Sequence, residues 1–261
     1  MIAVSLFIHA MGKMLGQQNA SQLLGAMISR GPGSDRFPAP ECVRTVHGLE
    51  RTHQAERVRC YVDCSERDEG LARSRAFHWA AGFLAEHPDC RVWVTCDDDV
   101  QADDVALKAA VKHASSVTWP RIVVVPCAIP STAKESPILS AAGGAQTMAG
   151  EANVILVHET HAIDPELQQI SSAGLGLAVF NRPAVERIKW ACGELAYQDR
   201  DGAIRLAVFL DVYLKGNPGE WLSGDESFFH RLPADVECVA LCVGETRCSG
   251  VPLDLRQVKQ Q

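Results

Sequence analysis

No run of apolar residues in the 261-residue chain approaches the length needed to cross a bilayer. Clusters of lysine and arginine are missing too: 25 basic residues face 32 acidic ones, for a net charge of −7. That balance argues against nonspecific nucleic-acid binding and favours a cationic ligand or cofactor complex. The opening "MIAVSLFIHAMGKML" lacks the basic flank of a signal peptide, and His9 and Lys13 interrupt its apolar run. It is predicted to be a first buried strand instead. Tight cysteine pairs are also lacking. Ten cysteines are scattered along the chain, and the spacings at Cys60/Cys64 and Cys238/Cys242 are looser than those of structural zinc sites. Buried free thiols and a reducing, cytoplasmic compartment are the expectation. There is no internal repeat, no heptad pattern and no low-complexity tail beyond the polar "RQVKQQ" end.

What is present is ordinary for a globular protein: 47% hydrophobic and 22% charged residues. The length suits one α/β domain over residues 1–261. Apolar runs predict strands at 2–9, 58–62, 92–96, 122–126, 153–157, 175–180 and 237–242. Amphipathic stretches predict helices at 20–29, 70–86, 103–115, 183–192 and 225–231. Their alternation predicts a mostly parallel central sheet flanked by helices. The helix at Asp103 begins with acidic residues at its positive end, and Asn181 followed by Pro183 suits another helix start. Residues 29–41 and 129–153, rich in small residues, Gly and Pro, are expected to be loops; a loop as long as the second is usually functional or disordered.

The stretch "RVWVTCDDDVQADD" sets Asp97, Asp98 and Asp99 side by side directly after a strand-like run. The carboxyl end of a strand is where ligands bind in open α/β sheets. Carboxylate oxygens there suit a hard divalent ion such as Mg²⁺ or Mn²⁺, which also bridges phosphates. The competing account is a solvated turn leading into the helix at Asp103. Gly174 and Gly176 form a G-x-G, but no further glycine or phosphate-binding helix start follows, so a dinucleotide fold is poorly supported. "VHETH" supplies His158, Glu159 and His161, with Asp164 beyond. Its spacing is not the H-E-x-x-H of metalloproteases, although two imidazoles remain able to ligate a metal.

Four stretches, in order over roughly residues 70 to 250, resemble family-2-like inverting GT-A glycosyltransferases. "LARSRAFHWAAGFLAEHPDCRVWVTCDDDV" resembles the nucleotide-sugar half of that family. Arg73 stands for the arginine of its helical Arg-Asn pair, Ser74 replaces the asparagine, and Asp97 and Asp99 form the D-x-D. "SSAGLGLAVFNRPAVERI" resembles the acceptor-facing strand, and "WLSGDESFFHRL" resembles the acidic motif that opens a helix. "VALCVGETRCSG" puts Cys242 where many members have the histidine of an H-x-G, with Gly244 in place. A neutral thiol ligates Mg²⁺ or Mn²⁺ poorly, so Cys242 is expected to be a buried apolar residue.

The resemblance implies a GT-A-like Rossmann-type domain, with a nucleotide-sugar half at 1–127 and an acceptor half at 128–261. It implies a nucleoside-diphosphate sugar donor, a hydroxyl acceptor, and Mn²⁺ or Mg²⁺ on Asp99 and Asp97. Asp97, Asp98 and Arg73 would serve donor binding, and Trp221, Gly174 and Gly176 acceptor binding. Glu226 or Asp225 would be the general base; the family order is Glu then Asp, and alignment by position puts Glu226 in that role. Two alternatives stand beside it: a metal-dependent hydrolase using Asp97 and Asp99 with His158 and His161, and a non-catalytic nucleotide-sugar-binding module.

Overall fold

The computed structural model describes residues 1–7, 16–18, 40–53, 58–63, 69–97, 99–128, 146–147, 150–151, 154–156, 164–199, 201–214, 220–222, 224–248 and 250–259. In chain order the elements begin with strands β1 (Ile2–Phe7) and β2 (Gly16–Gln18) and helix α1 (Pro40–His53). They continue with β3 (Val58–Asp63), α2 (Glu69–Glu86), β4 (Val92–Asp97) and β5 (Val100–Ala102). Next come α3 (Asp104–Ser115), β6 (Arg121–Val124), the short pair β7 (Gln146–Thr147) and β8 (Gly150–Glu151), and β9 (Val154–Leu156). Then follow β10 (Leu167–Ala173), β11 (Leu177–Asn181), α4 (Arg182–Ala191), β12 (Ala196–Gln198) and β13 (Ile204–Leu206). The remainder is β14 (Val212–Leu214), β15 (Glu220–Leu222), α5 (Gly224–Arg231), β16 (Glu237–Leu241), β17 (Glu245–Cys248) and β18 (Val251–Asp254).

Nine strands form one sheet in the order β2-β3-β1-β4-β11-β6-β16-β10-β9, so both halves of the chain contribute to it. β1 pairs in parallel with β3 and β4, and β6 with β16. The other neighbours are antiparallel, because β2, β11 and β10 run against the rest. A majority direction therefore survives, as the alternation of elements predicts, in a sheet that is mixed by pairing. β11 is the decisive insertion: lying antiparallel between β4 and β6, it brings the chain just before it to the carboxyl end of β4.

The run "VWVTC" of β4 is buried throughout, as a strand covered on both faces must be. On one side α2 contacts both α4 and α5, and on the other α1 contacts α3. Trp93 and Phe180, partners in register on β4 and β11, meet at a tilt of 36° with ring centroids 4.6 Å apart and anchor an aromatic cluster on the first side. Phe77 meets Trp93 edge-on at 5.7 Å, and Phe228 stacks on Phe209 at 4.7 Å. On the other side α3 buries Leu107, Ala110, Val111 and Ala114.

Both expected caps form. Asp103 accepts from the Ala106 amide at 2.7 Å and Asn181 from the Ala184 amide at 2.9 Å, with Pro183 in the first turn. Six predicted strands match β1, β3, β4, β6, β11 and β16 with no end displaced by more than two residues, β9 falls inside a seventh, and the predicted helix at 20–29 lies outside the described residues. Sequence patterning misses α1 and β10. β10 reads "LQQISSA", a polar strand near the sheet edge with a register shift between Ile170 and Ser172. The small pair β7/β8 falls inside the stretch expected to be a long loop.

Candidate functional site

The backbone builds this site first. Asp97 ends β4, and its amide donates to the Gly176 carbonyl at 2.7 Å, just ahead of β11. A Cβ on Gly176 would stand 3.3 Å from Val100 Cγ2 and 3.5 Å from Asp97 Oδ2, so the glycine lets this segment lie close against the acidic strand end. One residue earlier the Leu175 amide donates to Asp225 Oδ2 at 3.0 Å. The Gly174–Gly176 segment thus touches Asp97 on β4 and Asp225 on α5.

A buried guanidinium joins the same two carboxylates. Arg73, 4% exposed, donates from Nη2 to both oxygens of Asp97, at 3.0 and 2.8 Å, and from Nη1 to Asp225 Oδ1. Four sequence-predicted residues, Arg73, Asp97, Asp225 and Gly176, are therefore brought together at the carboxyl end of β4. A planar fork with several fixed donors suits this bridging in a way a lysine ammonium does not. Glu226, next to Asp225 in the first turn of α5, is half-buried.

Helical spacing explains how these side chains arrive. Phe77 lies four residues after Arg73 and Phe228 three after Asp225, so each charged residue sits one turn from an aromatic anchored in the core cluster. Both helix starts also press on the segment at 207–210. Ser74 Oγ accepts from the Phe209 amide at 3.0 Å, and Ser227 Oγ donates to the Leu210 carbonyl at 2.6 Å. Arg231 adds bonds to the Ala207, Val208 and Leu210 carbonyls. A Cβ on Gly70 or Gly224 would fall 2.2 or 2.5 Å from the Phe209 carbonyl oxygen, so both positions are closed to any side chain. Ser74 is thus a backbone clamp.

The crowding at Gly224 carries a prediction. Gly224→Ala should destabilise the fold by about 1–3 kcal/mol, the usual cost of overpacking. Gly82→Ala, whose added Cβ would meet nothing within 4 Å on α2, should instead stabilise by about 0.5–1 kcal/mol through helix propensity. Urea unfolding of both variants is the measurement, and equal effects would show that the Phe209 contact is not limiting.

Asp99 follows β4, and its Oδ2 accepts from the Cys248 thiol at 3.4 Å. Cys127 is fully buried beside this group. Burial raises its thiol well above the ordinary value, and Cys248, Asp97 and Asp99 raise it further. That environment disfavours the thiolate, the form of cysteine that acts as a nucleophile. Sequence reasoning passed over Cys248; only the β17–β5 pairing, which sets Cys248 opposite Val100, brings it to the acidic turn. Cys242 is buried, as expected from its chemistry, and its amide donates to the Glu166 carbonyl at 2.8 Å. Gly244 is needed for its positive φ of 91°, and a Cβ there would meet the Ala106 amide nitrogen at 2.7 Å.

The donor set decides what a metal would find here. Both Asp97 oxygens accept from Arg73 and one Asp99 oxygen accepts from the Cys248 thiol, so both carboxylates of the turn already have protein partners. Among the described residues, three metal-ligating side chains converge within 4.8 Å at His113, Asp164 and Glu166, and not at Asp97 and Asp99. Trp221 lies in β15 opposite Tyr213. Asp98, His158 and His161 lie outside the described residues. Cys238 and Cys242, one of the two loose pairs, are free buried thiols, with Cys238 pushed up to about 12 by burial.

No family model and no curated protein matches the chain. A solved structure of A197 from STIV aligns over 94% of this chain and 83% of its own, at 12% identity and a TM-score of 0.46. A crystal structure of a glycosyltransferase involved in the glycosylation of the major capsid of PBCV-1 aligns over 73% of this chain and 64% of its own, at 10% identity and a TM-score of 0.29. Scores at this level establish neither fold family nor function. No helix among the described residues is long and apolar enough to cross a membrane.

Proposed function

We propose that the chain is a GT-A-like glycosyltransferase, one domain whose 1–127 half holds a nucleoside-diphosphate sugar and whose 128–261 half receives a hydroxyl acceptor. The observation that supports this most is the Arg73 guanidinium bridging Asp97 on β4 and Asp225 on α5. It joins the D-x-D-like turn and the acidic helix start in one group at the carboxyl end of β4, the end of the strands at which open α/β sheets bind ligands. A solvated helix-capping turn has no need of a buried arginine shared with a helix more than a hundred residues away.

In this proposal the acceptor oxygen attacks the anomeric carbon as the bond to the diphosphate breaks. The bonding electron pair leaves with the diphosphate, the acceptor proton passes to a carboxylate, and the configuration inverts. Both oxygens of Asp225 serve the protein, one toward Arg73 and one toward the Leu175 amide. Asp225 is therefore the positioning residue and Glu226 the general base. Gly174 and Gly176 are assigned to the acceptor side, where Gly176 lets the chain lie close against Asp97, and Trp221 is assigned to stacking on an acceptor sugar ring. Mn²⁺ or Mg²⁺ on Asp99 would neutralise charge on the departing diphosphate. Asp97, held by Arg73, faces the donor.

A thermal-shift screen of nucleoside-diphosphate sugars with and without MnCl₂ tests the proposal, since a ligand that binds only the folded state raises its melting temperature. A donor-specific rise that depends on Mn²⁺ is expected. Asp99→Asn should fold normally and lose that metal-dependent rise. An unchanged Mn²⁺-dependent shift in the variant would remove the metal from Asp99.

A further inference from the structure

His113 lies in the last turn of α3 with 5% of its surface exposed. Its carbonyl accepts from Arg121 Nη1 at 3.2 Å, which fixes the end of the helix. Asp164 and Glu166 approach from the turn before β10. That turn is itself held, by the Glu166 amide donating to Asp164 Oδ1 at 2.8 Å and by the Glu166 carbonyl accepting from the Cys242 amide at 2.8 Å. The imidazole has a carboxylate on each ring nitrogen: Nε2 is 2.7 Å from Glu166 Oε2 and Nδ1 is 3.7 Å from Asp164 Oδ2. The neighbouring cation, Arg121, is already paired with Glu237 at 2.6 Å. Two carboxylates therefore converge on one buried ring, one beside each nitrogen.

We infer that His113, Asp164 and Glu166 form a binding site for a zinc-like divalent cation, sharing no residue with the Arg73 group. An imidazole ligates one ion through one nitrogen, so the ion would sit on Nε2 beside Glu166, and Asp164, now 3.7 Å from Nδ1, would rotate toward it. The three donor atoms already lie within 4.8 Å of one another, against metal–ligand distances of about 2.0–2.2 Å. An imidazole with two carboxylates suits Zn²⁺ or Co²⁺ and disfavours Mg²⁺ and Ca²⁺, which select oxygen alone. His113 is buried and rigid, whereas the Asp164 and Glu166 side chains are 36% and 41% exposed. The site thus has a fixed ligand on its protein side, an entry path, and room for water on the solvent side. A bound ion would tie α3 to β10 and, through Cys242, to the end of β16.

The full-length chain, cleared of metal with chelator, is titrated calorimetrically with ZnCl₂ and separately with MgCl₂. One Zn²⁺ and no Mg²⁺ should bind. Glu166→Gln, which keeps a hydrogen-bonding group beside His113, should weaken Zn²⁺ binding at least tenfold, and His113→Gln should abolish it. Co²⁺ substitution guards against the cysteines, because nitrogen and oxygen ligation gives visible bands without the thiolate charge-transfer absorption that cysteine produces. Zn²⁺ binding that is absent, equal in wild type and Glu166→Gln, or accompanied by a thiolate band overturns the assignment. None of these outcomes depends on whether the chain transfers sugar.

Discussion

Arg73→Met should be among the most destabilising single changes in this chain, at about 3–5 kcal/mol, the cost of breaking a buried ion pair by removing one partner. The guanidinium is 4% exposed and bonded to two carboxylates whose side chains are only 14% and 22% exposed. Without it Asp97 and Asp225 face each other with like charge, and α5 loses its tie to β4. Arg73→Lys should recover only part of the loss, since a point charge does not reproduce a fork aimed at two carboxylates. Urea unfolding measures both, with an unchanged slope showing that the same transition is compared. The double variant Arg73→Met with Asp97→Asn should be less damaged than the sum of its singles, because it leaves one buried carboxylate fewer. Additive losses, or an Arg73→Met variant within 1 kcal/mol of wild type, would mean the bridge is not coupled as its geometry implies.

Seven of the nine strands of the central sheet and the helices α2–α5 were readable because apolar runs bury on both faces and amphipathic stretches on one, whereas β2, the polar β10 and helix α1 were not. Caps at Asp103 and Asn181 were readable for the same local reason: a short polar side chain precedes a helical pattern. The Arg73–Asp97–Asp225 group was only half readable. Motif order brought the three residues onto one list, but the spacing of Arg73 from Asp225 says nothing about contact. That contact follows from β11 inserting between β4 and β6, and from Phe77 and Phe228 meeting one aromatic cluster. Cys248 was invisible because its approach to Asp99 depends on the β5–β17 pairing of two short strands far apart in sequence. The His113 group escaped for a similar reason. The sequence offers the nearby pair His158 and His161 as candidate imidazole ligands, whereas the histidine that meets Asp164 sits on α3, 51 residues earlier.

Glu226→Gln should lower sugar transfer by about a hundredfold or more while leaving donor binding and stability nearly intact, in line with the usual worth of a positioned general base. The motivation is the division of labour at the start of α5. Asp225 turns inward, with one oxygen on Arg73 and the other on the Leu175 amide, so its removal should be felt as lost stability. Asp225→Asn keeps the shape but gives up the charge that faces Arg73. It should therefore lower the unfolding midpoint, and it should weaken donor binding through Asp97 before it alters the chemical step. The pair of variants separates the roles when turnover at saturating donor, donor affinity and urea midpoint are measured together. Loss of turnover alone in Glu226→Gln, with loss of stability and affinity in Asp225→Asn, assigns the proton to Glu226. The reverse pattern, full turnover in Glu226→Gln and a hundredfold loss in a stable Asp225→Asn, would move the base one residue back and make the Arg73 contact a feature of the resting site that opens when the acceptor arrives.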